Sequence, residues 1–409
     1  KMVECKPEWK SFLRPNGSLM VECDKAWYGL AAAAALWNAE VHKTLTDACG
    51  YTQHSMVSCL YYRRVGKTMC ILMLHVDDIG ALFPPNSAER ARVKAILEEK
   101  YEALKEQTGR NLTYIGMEIV QEDDCFKVSM AKRIGLLEGD FGGFPVSKAP
   151  PINPARTQSF CTPDAPDCKE YPDTKRFRSL VMTLAYIANV RPDIRFHVMF
   201  LATRQVTPTV NDWARALHIA SYLKATQDDS MIVRAIGKDV VVSMYTDAAY
   251  DVHVDSKSHS GITVFVGEAG CAMFSSSNKQ HCITRSSTDA EIVACEVGAL
   301  LGSYYRDVLQ ELGIRADVLQ FQDNQSCITL CEKGTRCYDR KERHMVRRIN
   351  YLKEYLDDET HRTSLLWCPT AEMTADILTK DLHGYAFALH KASLMGWPRP
   401  IDPADASKV

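Results

Sequence analysis

The 409-residue sequence predicts an α/β protein of two or three domains, at about 150 residues per domain. Three observations carry that reading. Short apolar runs alternate with longer helical patterns up to residue 145, and again from 236 to 385. Between them lies a different texture, rich in Pro, Asp, Ser and Thr at 146–172 and helical up to 235. A composition of 46% apolar and 24% charged residues suits a folded chain rather than a disordered one.

Charge and cysteine usage narrow the function classes. Lys and Arg number 49 against 51 Asp and Glu, a formal net charge of −2, which excludes a basic coat for nucleic acid but leaves room for a local stripe. No run of 18 apolar residues marks a membrane span, and no charged segment followed by an apolar one marks a secretory signal. The opening Lys1 suggests a processed product or a fragment of something longer. Fifteen cysteines without a C-x-x-C pair fit reduced intracellular thiols better than a disulfide framework or a zinc module.

The elements follow in order. Ala31 to Leu45 reads as a helix from its alanine run, with Trp37 as a core aromatic. Ser58–Tyr62 and Thr68–Leu74 are two apolar strands around a glycine turn, a hairpin signal. Asn86 to Leu104 is a charged amphipathic helix capped by Asn86 or Ser87. Tyr114–Val120 and Cys125–Met130 pair as strands around an acidic turn. In the connection, helices are expected over 177–190 and 211–225, with Trp213 a second core aromatic. The third stretch has strands at 240–245, 261–266 and 318–321, and helices at 289–312, 325–332 and 344–356. The tail past Gly384 has one short helical pattern before Pro398, Pro400 and Pro403, and is expected to fray.

Four carboxylates stand out by position. Asp247 ends an apolar strand, which puts its side chain at a sheet edge. Glu291 lies in the first turns of a helix opened by Ser286-Ser-Thr-Asp289. Asp323 ends the strand Val318-Leu-Gln-Phe-Gln, and Asp376 begins a last helix. Strand end, helix, strand end, helix can bring four carboxylates to one edge of a mixed sheet. Such oxygen-rich clusters hold Mg²⁺, and two ions about 4 Å apart would activate water and stabilise a leaving oxygen in phosphodiester cleavage. Singly, each could equally be a helix N-terminal or turn acid.

The words around these acids resemble the ribonuclease H domain of copia-type LTR retrotransposon Pol polyproteins. They are Tyr245-Thr-Asp-Ala-Ala249, Lys257-Ser-His-Ser-Gly-Ile262, Ser275-Ser-Ser-Asn-Lys-Gln280, Arg285-Ser-Ser-Thr-Asp-Ala-Glu291, Gln322-Asp-Asn-Gln-Ser326 and Pro369 to Lys380. The resemblance implies a ribonuclease H-like mixed sheet flanked by helices, with catalytic, metal-binding acids at Asp247, Glu291, Asp323 and Asp376. It implies two Mg²⁺ (or Mn²⁺) ions as cofactors. The loop Trp367-Cys-Pro-Thr-Ala-Glu-Met373 lacks the histidine that cellular ribonucleases H often carry there.

Upstream, Tyr28-Gly-Leu30 with Leu36-Trp37, His75-Val-Asp-Asp78 and Tyr114-Ile-Gly-Met-Glu-Ile119 resemble the reverse transcriptase of the same family. Segments at Phe177–Val181, Arg191–Ile194 and Trp213–Lys224 are similar to its connection. The resemblance implies a partial palm and thumb-like region at 1–145, a linker and helical connection at 146–235, ribonuclease H at 236–385 and a tail at 386–409. Asp77 and Asp78 would hold metal, but no third carboxylate stands in the family's style among Glu4, Glu8, Glu22 and Asp24. Ala31–Ala35 also replaces polar side chains usual in that helix. Polymerase activity is therefore not expected from this chain alone.

Residues 331–350 hold Lys333, Arg336, Arg340, Lys341, Arg343, Arg347 and Arg348 against Glu332, Asp339 and Glu342, with His344 on the same surface. A basic helix here can track hybrid phosphates; alternatively it is a solvated charged face. The expected activity is endonucleolytic cleavage of RNA in an RNA–DNA hybrid. Expected partners are that hybrid and the polymerase and integrase parts of Pol, with no membrane. The resemblance implies an intracellular location, cytoplasmic in a virus-like particle with a nuclear phase. Two readings compete with it: a catalytically inactive remnant that binds nucleic acid or a polymerase partner, and an integrase or transposase, which would usually bring a zinc module.

Overall fold

The computed structural model describes residues 7–19, 31–146, 168–267, 270–338 and 342–401. Glu4, Glu22, Asp24, Tyr28-Gly-Leu30, most of the proline-rich segment, Arg340 and Lys341 lie outside the described residues. The chain forms two compact units, Lys1–Lys105 and Glu106–Val409.

In the first unit the alanine run propagates α1 (Ala31–Lys43), which passes into a π-turn at Thr44–Ala48. An antiparallel sheet follows, β1 (Thr52–Gln53), β2 (Leu60–Val65), β3 (Thr68–His75) and β4 (Asp78–Leu82), in that spatial order. Gly66 makes the β2–β3 turn at a φ of 63°, a conformation without steric cost only for glycine. Helix α2 (Ala88–Tyr101) is capped by Ser87, whose hydroxyl accepts from the Glu89 amide at 3.2 Å. Its Val93 and Leu97 pack with Val41, Leu45, Tyr61 and Leu72. Trp37, expected inside, is 36% exposed.

The second unit opens with β5 (Asn111–Tyr114), β6 (Met117–Gln121) and β7 (Cys125–Ser129). The segment from Tyr114 to Val120, read as one strand, is a hairpin: Ile115 and Gly116 both have positive φ, the signature of a tight two-residue turn. The Tyr186 hydroxyl donates to the Ile115 carbonyl, fixing that turn. β7 pairs with β8 (Met231–Arg234), so these strands form a sheet separate from β1–β4.

Helices α3 (Ala131–Phe141), α4 (Thr174–Ile187), α5 (Arg195–Ala202) and α6 (Val210–Ala225) share one core, with Ile134, Leu180, Leu184, Phe196, Ile219 and Leu223 fully buried. The α3 and α5 patterns were not anticipated. Trp213 is half-buried, stacked on Tyr171 with ring centroids 4.7 Å apart.

The main sheet has the spatial order β11 (Ala272–Lys279), β10 (His259–Val266), β9 (Asp239–Ala249), β12 (Arg315–Gln322), β13 (Thr363–Trp367). β9, β10 and β11 are antiparallel neighbours, while β12 runs parallel to both β9 and β13. Helix α7 (Ser287–Glu311), capped by Ser286, lies on β9 and β12. Helices α8 (Gln325–Lys333) and α9 (Arg343–Asp357) pack beside it. In that core Cys295, Cys327 and Cys331 bring their sulfurs within 4.8 Å of one another. The α/β class, with a mixed sheet flanked by helices, is the one expected from sequence.

The tail departs from its reading as a fraying end. Helix α10 (Gly384–Met395) buries Leu394 and Met395 completely in the connection core. Its Lys391 ammonium bonds the Tyr222 hydroxyl at 2.7 Å and Asp229 at 2.6 Å, beside the buried Arg191–Asp193 pair. Burial alone would raise the Asp193 carboxyl, but Arg191 and Lys391 hold it below the usual range.

Candidate active site

Asp247 lies on β9, the central strand, and is only 2% exposed; it is not at a lateral sheet edge. Its register partner on β10 is Gly261. A side chain there would meet Thr379 Cγ2 at 2.7 Å and the Ala375 carbonyl at 2.9 Å. Glycine thus lets the segment 374–380 lie directly on the sheet beside Asp247. That segment begins as a 3-10 turn, Thr374–Leu378, rather than the α-helix expected from sequence, and it carries Asp376.

Glu291 is delivered by close approach of α7. Cβ atoms at Gly298 and Gly302 would fall 2.5 Å from Thr246 Cγ2 and Met244 Cε respectively. These two glycines share the helix face of Glu291, at seven and eleven residues' remove, so the acid turns toward β9. Asp323 follows the last residue of β12, and Asn324 then caps α8 by accepting from the Cys327 amide at 3.0 Å.

Carboxylate oxygens of Asp247, Glu291 and Asp323 lie within 4.8 Å of one another. Asp376 is outside that trio and is linked through Lys380, whose Nζ is 2.7 Å from Asp376 Oδ1 and 3.4 Å from Asp247 Oδ1. Thr379 donates its hydroxyl to the other Asp247 oxygen, and Thr370 donates to Asp323 Oδ2 at 2.9 Å. In the loop where cellular enzymes often carry histidine, the group facing Asp323 is therefore a hydroxyl.

Burial raises the carboxyls of Asp247 and Glu291, and for Glu291 the charges of Asp247 and Asp323 raise it further. Asp376 is pushed up to about 7 by burial and by Asp247. Crowded, desolvated carboxylates of this kind are relieved by a cation. An all-oxygen donor set suits a hard divalent ion such as Mg²⁺ or Mn²⁺. The residues present fit the group.

The second acidic pair is built differently. Asp77 sits in the β3–β4 turn and Asp78 starts β4, both exposed. Val76 takes a φ of 55°, and its carbonyl accepts the Trp37 indole N–H at 2.6 Å. Among the described residues no third carboxylate joins this pair in a metal-sized cluster.

Residues 14–142 match the reverse transcriptase (RNA-dependent DNA polymerase) family. Over 382 residues, 91% of this chain and 28% of the relative, the sequence is 25% identical to the retrovirus-related Pol polyprotein from transposon TNT 1-94 of Nicotiana tabacum. It is 24% identical to that from transposon RE2 of Arabidopsis thaliana, over 89% of this chain and 24% of the relative. The chain resembles copia-type retrotransposon Pol polyproteins. It spans about a quarter of the length of these relatives. Among solved structures, a foamy viral protease-reverse transcriptase in complex with double-stranded DNA is similar at a TM-score of 0.44 and 12% identity, over 83% of this chain and 49% of that one. The ribonuclease H1 LC11, isolated from compost, is similar at a TM-score of 0.27 and 15% identity, over 35% of this chain and 93% of that one.

In this Pol-like chain the basic segment is only partly available. Lys333, Arg336, Arg343, His344 and Arg347 are exposed, whereas Arg348 is committed to an ion pair with Glu296 of α7. Lys333 and Arg336 line a groove with Asn350 and Lys353. No described helix is long and apolar enough to cross a membrane.

Sequence reading missed two groups. Gln322, fully buried on β12, donates to Glu291 Oε2 at 3.2 Å, while its carbonyl oxygen accepts the amides of Asp323 at 2.8 Å and Asn324 at 3.1 Å. The other is Lys380. Each stands beside a predicted acid in sequence, Gln322 before Asp323 and Lys380 four residues after Asp376, but neither residue type signals burial or an ion pair by itself.

Proposed function

We propose that this chain carries the ribonuclease H activity of a retrotransposon Pol polyprotein, cutting the RNA strand of an RNA–DNA hybrid endonucleolytically. The observation that supports it best is the convergence of three carboxylates on one small volume, buried Asp247 from β9, buried Glu291 from α7 and half-buried Asp323 from the end of β12. Asp247, Glu291 and Asp323 would hold divalent metal, with Asp376 completing the set. Bound Mg²⁺ or Mn²⁺ supplies a more acidic water and stabilises charge on the leaving oxygen.

The protein's own groups fix the donors. Gln322 locks Glu291 to the turn that carries Asp323, while Thr379 and Thr370 orient the oxygens of Asp247 and Asp323. In the reaction a water oxygen bonds to phosphorus and the bond to the 3′ oxygen breaks, leaving 3′-hydroxyl and 5′-phosphate ends. The exposed cations Lys333, Arg336, Arg343 and Arg347 track the phosphates, and the groove shape and 2′-hydroxyls select hybrid with little sequence preference.

In this reading residues 1–145 are a partial reverse transcriptase, 146–235 the connection and 236–385 the ribonuclease H region. The partners are the hybrid and the remaining polymerase and integrase parts of Pol, inside the cell. The exposed two-acid turn and the alanine run of α1 favour a second reading for the first region alone, that of a polymerase remnant without activity.

The test is cleavage of a labelled RNA–DNA hybrid with Mg²⁺ or Mn²⁺, by the chain and by Asp247→Asn. Hybrid-specific RNA cutting that the substitution abolishes is expected. Folded protein that cuts with neither metal would leave the binding-remnant reading in its place.

A further inference from the structure

The acidic cluster is asymmetric. Three of its carboxylates share one volume, but the fourth faces an ammonium instead. Lys380 lies four residues beyond Asp376, and its amide donates to the Asp376 carbonyl at 2.9 Å, so the backbone turn points the side chain back over the acid. Its Nζ then bridges Asp376 and Asp247, at 2.7 and 3.4 Å. The position between these two carboxylates is where an ion shared by them would sit. The Lys380 side chain is nonetheless 39% exposed, and its four-carbon stem gives the ammonium a path back to water.

We propose that Lys380 is the resident cation of the second metal position. One divalent ion binds at Asp247, Glu291 and Asp323, and a second enters between Asp247 and Asp376 only as the Lys380 ammonium swings out. The inference rests on the ribonuclease H reading and adds an order of loading to it. The physical cause is like-charge exclusion: an ammonium and a divalent ion cannot share one carboxylate pair at contact distance without strong repulsion. Lys380 also keeps Asp376 and Asp247 compatible while the second position holds no divalent ion, a task three close carboxylates cannot share without a cation. It acts on metal rather than on substrate, as a positioning residue.

The experiment is a Mn²⁺ titration of the full chain, wild type against Lys380→Gln and Lys380→Arg, followed by free-Mn²⁺ electron paramagnetic resonance, with circular dichroism confirming the fold of each. The wild type is expected to bind one equivalent with a mononuclear spectrum over a range in which Lys380→Gln binds two and shows an exchange-coupled pair. The midpoint for the second ion should fall by at least about tenfold in the glutamine variant. Lys380→Arg, which keeps the charge, should behave as the wild type.

Coincident two-equivalent titrations for wild type and Lys380→Gln would overturn the inference, as would equal tightening by the arginine variant. Hybrid cleavage measured on the same samples separates the two levels. If the wild type cuts hybrid while the titrations coincide, the loading order alone fails. If folded wild type neither binds Mn²⁺ nor cuts, the ribonuclease H reading fails and this inference with it.

Discussion

Two acidic sites in one chain are held in opposite ways. Asp77 and Asp78 stand in water on a hairpin turn, and what surrounds them is a strand pair and one indole hydrogen bond to Val76. Asp247, Glu291 and Asp376 are buried to 2%, 5% and 6% exposure, each with dedicated polar partners. An exposed carboxylate needs no partner, so an acidic pair in a turn can persist with nothing to bind. A buried cluster is costly unless its groups are paired or a cation is supplied, and here Gln322, Thr379 and Lys380 supply pairing that the exposed turn lacks. Structure around a motif therefore says more about function than the motif does.

The sharpest way to break that comparison is to remove charge from each site in turn. If the proposed reading holds, Asp323→Asn should lower hybrid cleavage by about 10³-fold or more, since a donor to the metal and its charge would be lost together. Asp77→Asn combined with Asp78→Asn should leave cleavage within about twofold, because exposed substitutions away from the site leave its groups untouched. Single-turnover cleavage at saturating hybrid measures both. Equal losses in the two variants would mean that the hairpin turn contributes to the same reaction.

The next largest effect concerns Gln322, which touches no substrate in this reading. Gln322→Ala frees Glu291 Oε2 and leaves the Asp323 and Asn324 amides without their acceptor. Losses of outer partners to metal-ligating groups typically cost about 10- to 100-fold in affinity or activity. Cleavage should fall by that factor, with part of the loss recovered at high Mn²⁺. A loss equal to that of Asp323→Asn at all metal concentrations would make Gln322 itself part of the chemistry.

How much of this was legible follows from what pattern reading can see. Asp247 and Asp323 were visible because apolar alternation runs into each of them, and Glu291 because Ser286 announces a helix start. Gln322 and Lys380 were not, since a polar residue at the end of a strand or after a turn looks like ordinary solvent exposure until the partner acid is located. The Ile115-Gly116 hairpin was hidden inside a run whose apolar residues continue through the turn. The helical pattern of α10 was visible, but the prolines at 398, 400 and 403 suggested a fraying end; only tertiary partners such as Asp229, which pairs with Lys391, show that it is docked. The glycines of α7 could have been read: two of them four residues apart in a long helix signal close packing rather than a break.

Those glycines give the third test, on stability. At Gly298 an added methyl meets Thr246 Cγ2 at 2.5 Å and Gln320 Nε2 at 2.7 Å, on buried strands that cannot yield. Gly298→Ala should destabilise the Glu106–Val409 unit by about 1–3 kcal/mol despite alanine's better helix propensity, and should weaken metal binding by pushing Glu291 away from Asp247. Gly135→Ala, at an exposed site in α3 with nothing within 4 Å, should instead be neutral or stabilise by up to about 1 kcal/mol. Thermal melts of both variants measure the contrast. A neutral Gly298→Ala would show that the helix can lift off the sheet without cost, and the close-approach account of Glu291 would fail.

The smallest expected effect links charge, metal and pH. The carboxyls of Asp247, Glu291 and Asp376 are all raised by burial, Asp376 to about 7. A group whose folded value is raised contributes stability that is complete below its unfolded value, near 4 for a carboxyl, and is lost as pH rises through the folded value. Metal-free protein should therefore lose stability from about pH 4 upward, with the share due to Asp376 lost by about pH 7. Divalent metal reverses the sign because it binds the deprotonated form, so protons compete with it below the raised values. The gain in melting temperature from a fixed excess of Mn²⁺ should then grow from about pH 5 to pH 7, by a few degrees if one proton is displaced, and more slowly above the Asp376 value, since each pH unit below that value is worth about 1.4 kcal/mol of binding. Asp247→Asn should abolish the gain, and Asp77→Asn should leave it unchanged. A gain that is independent of pH, or that survives Asp247→Asn, would mean that Mn²⁺ stabilises the chain somewhere other than the buried cluster, and the contrast between the two acidic sites would lose its physical basis.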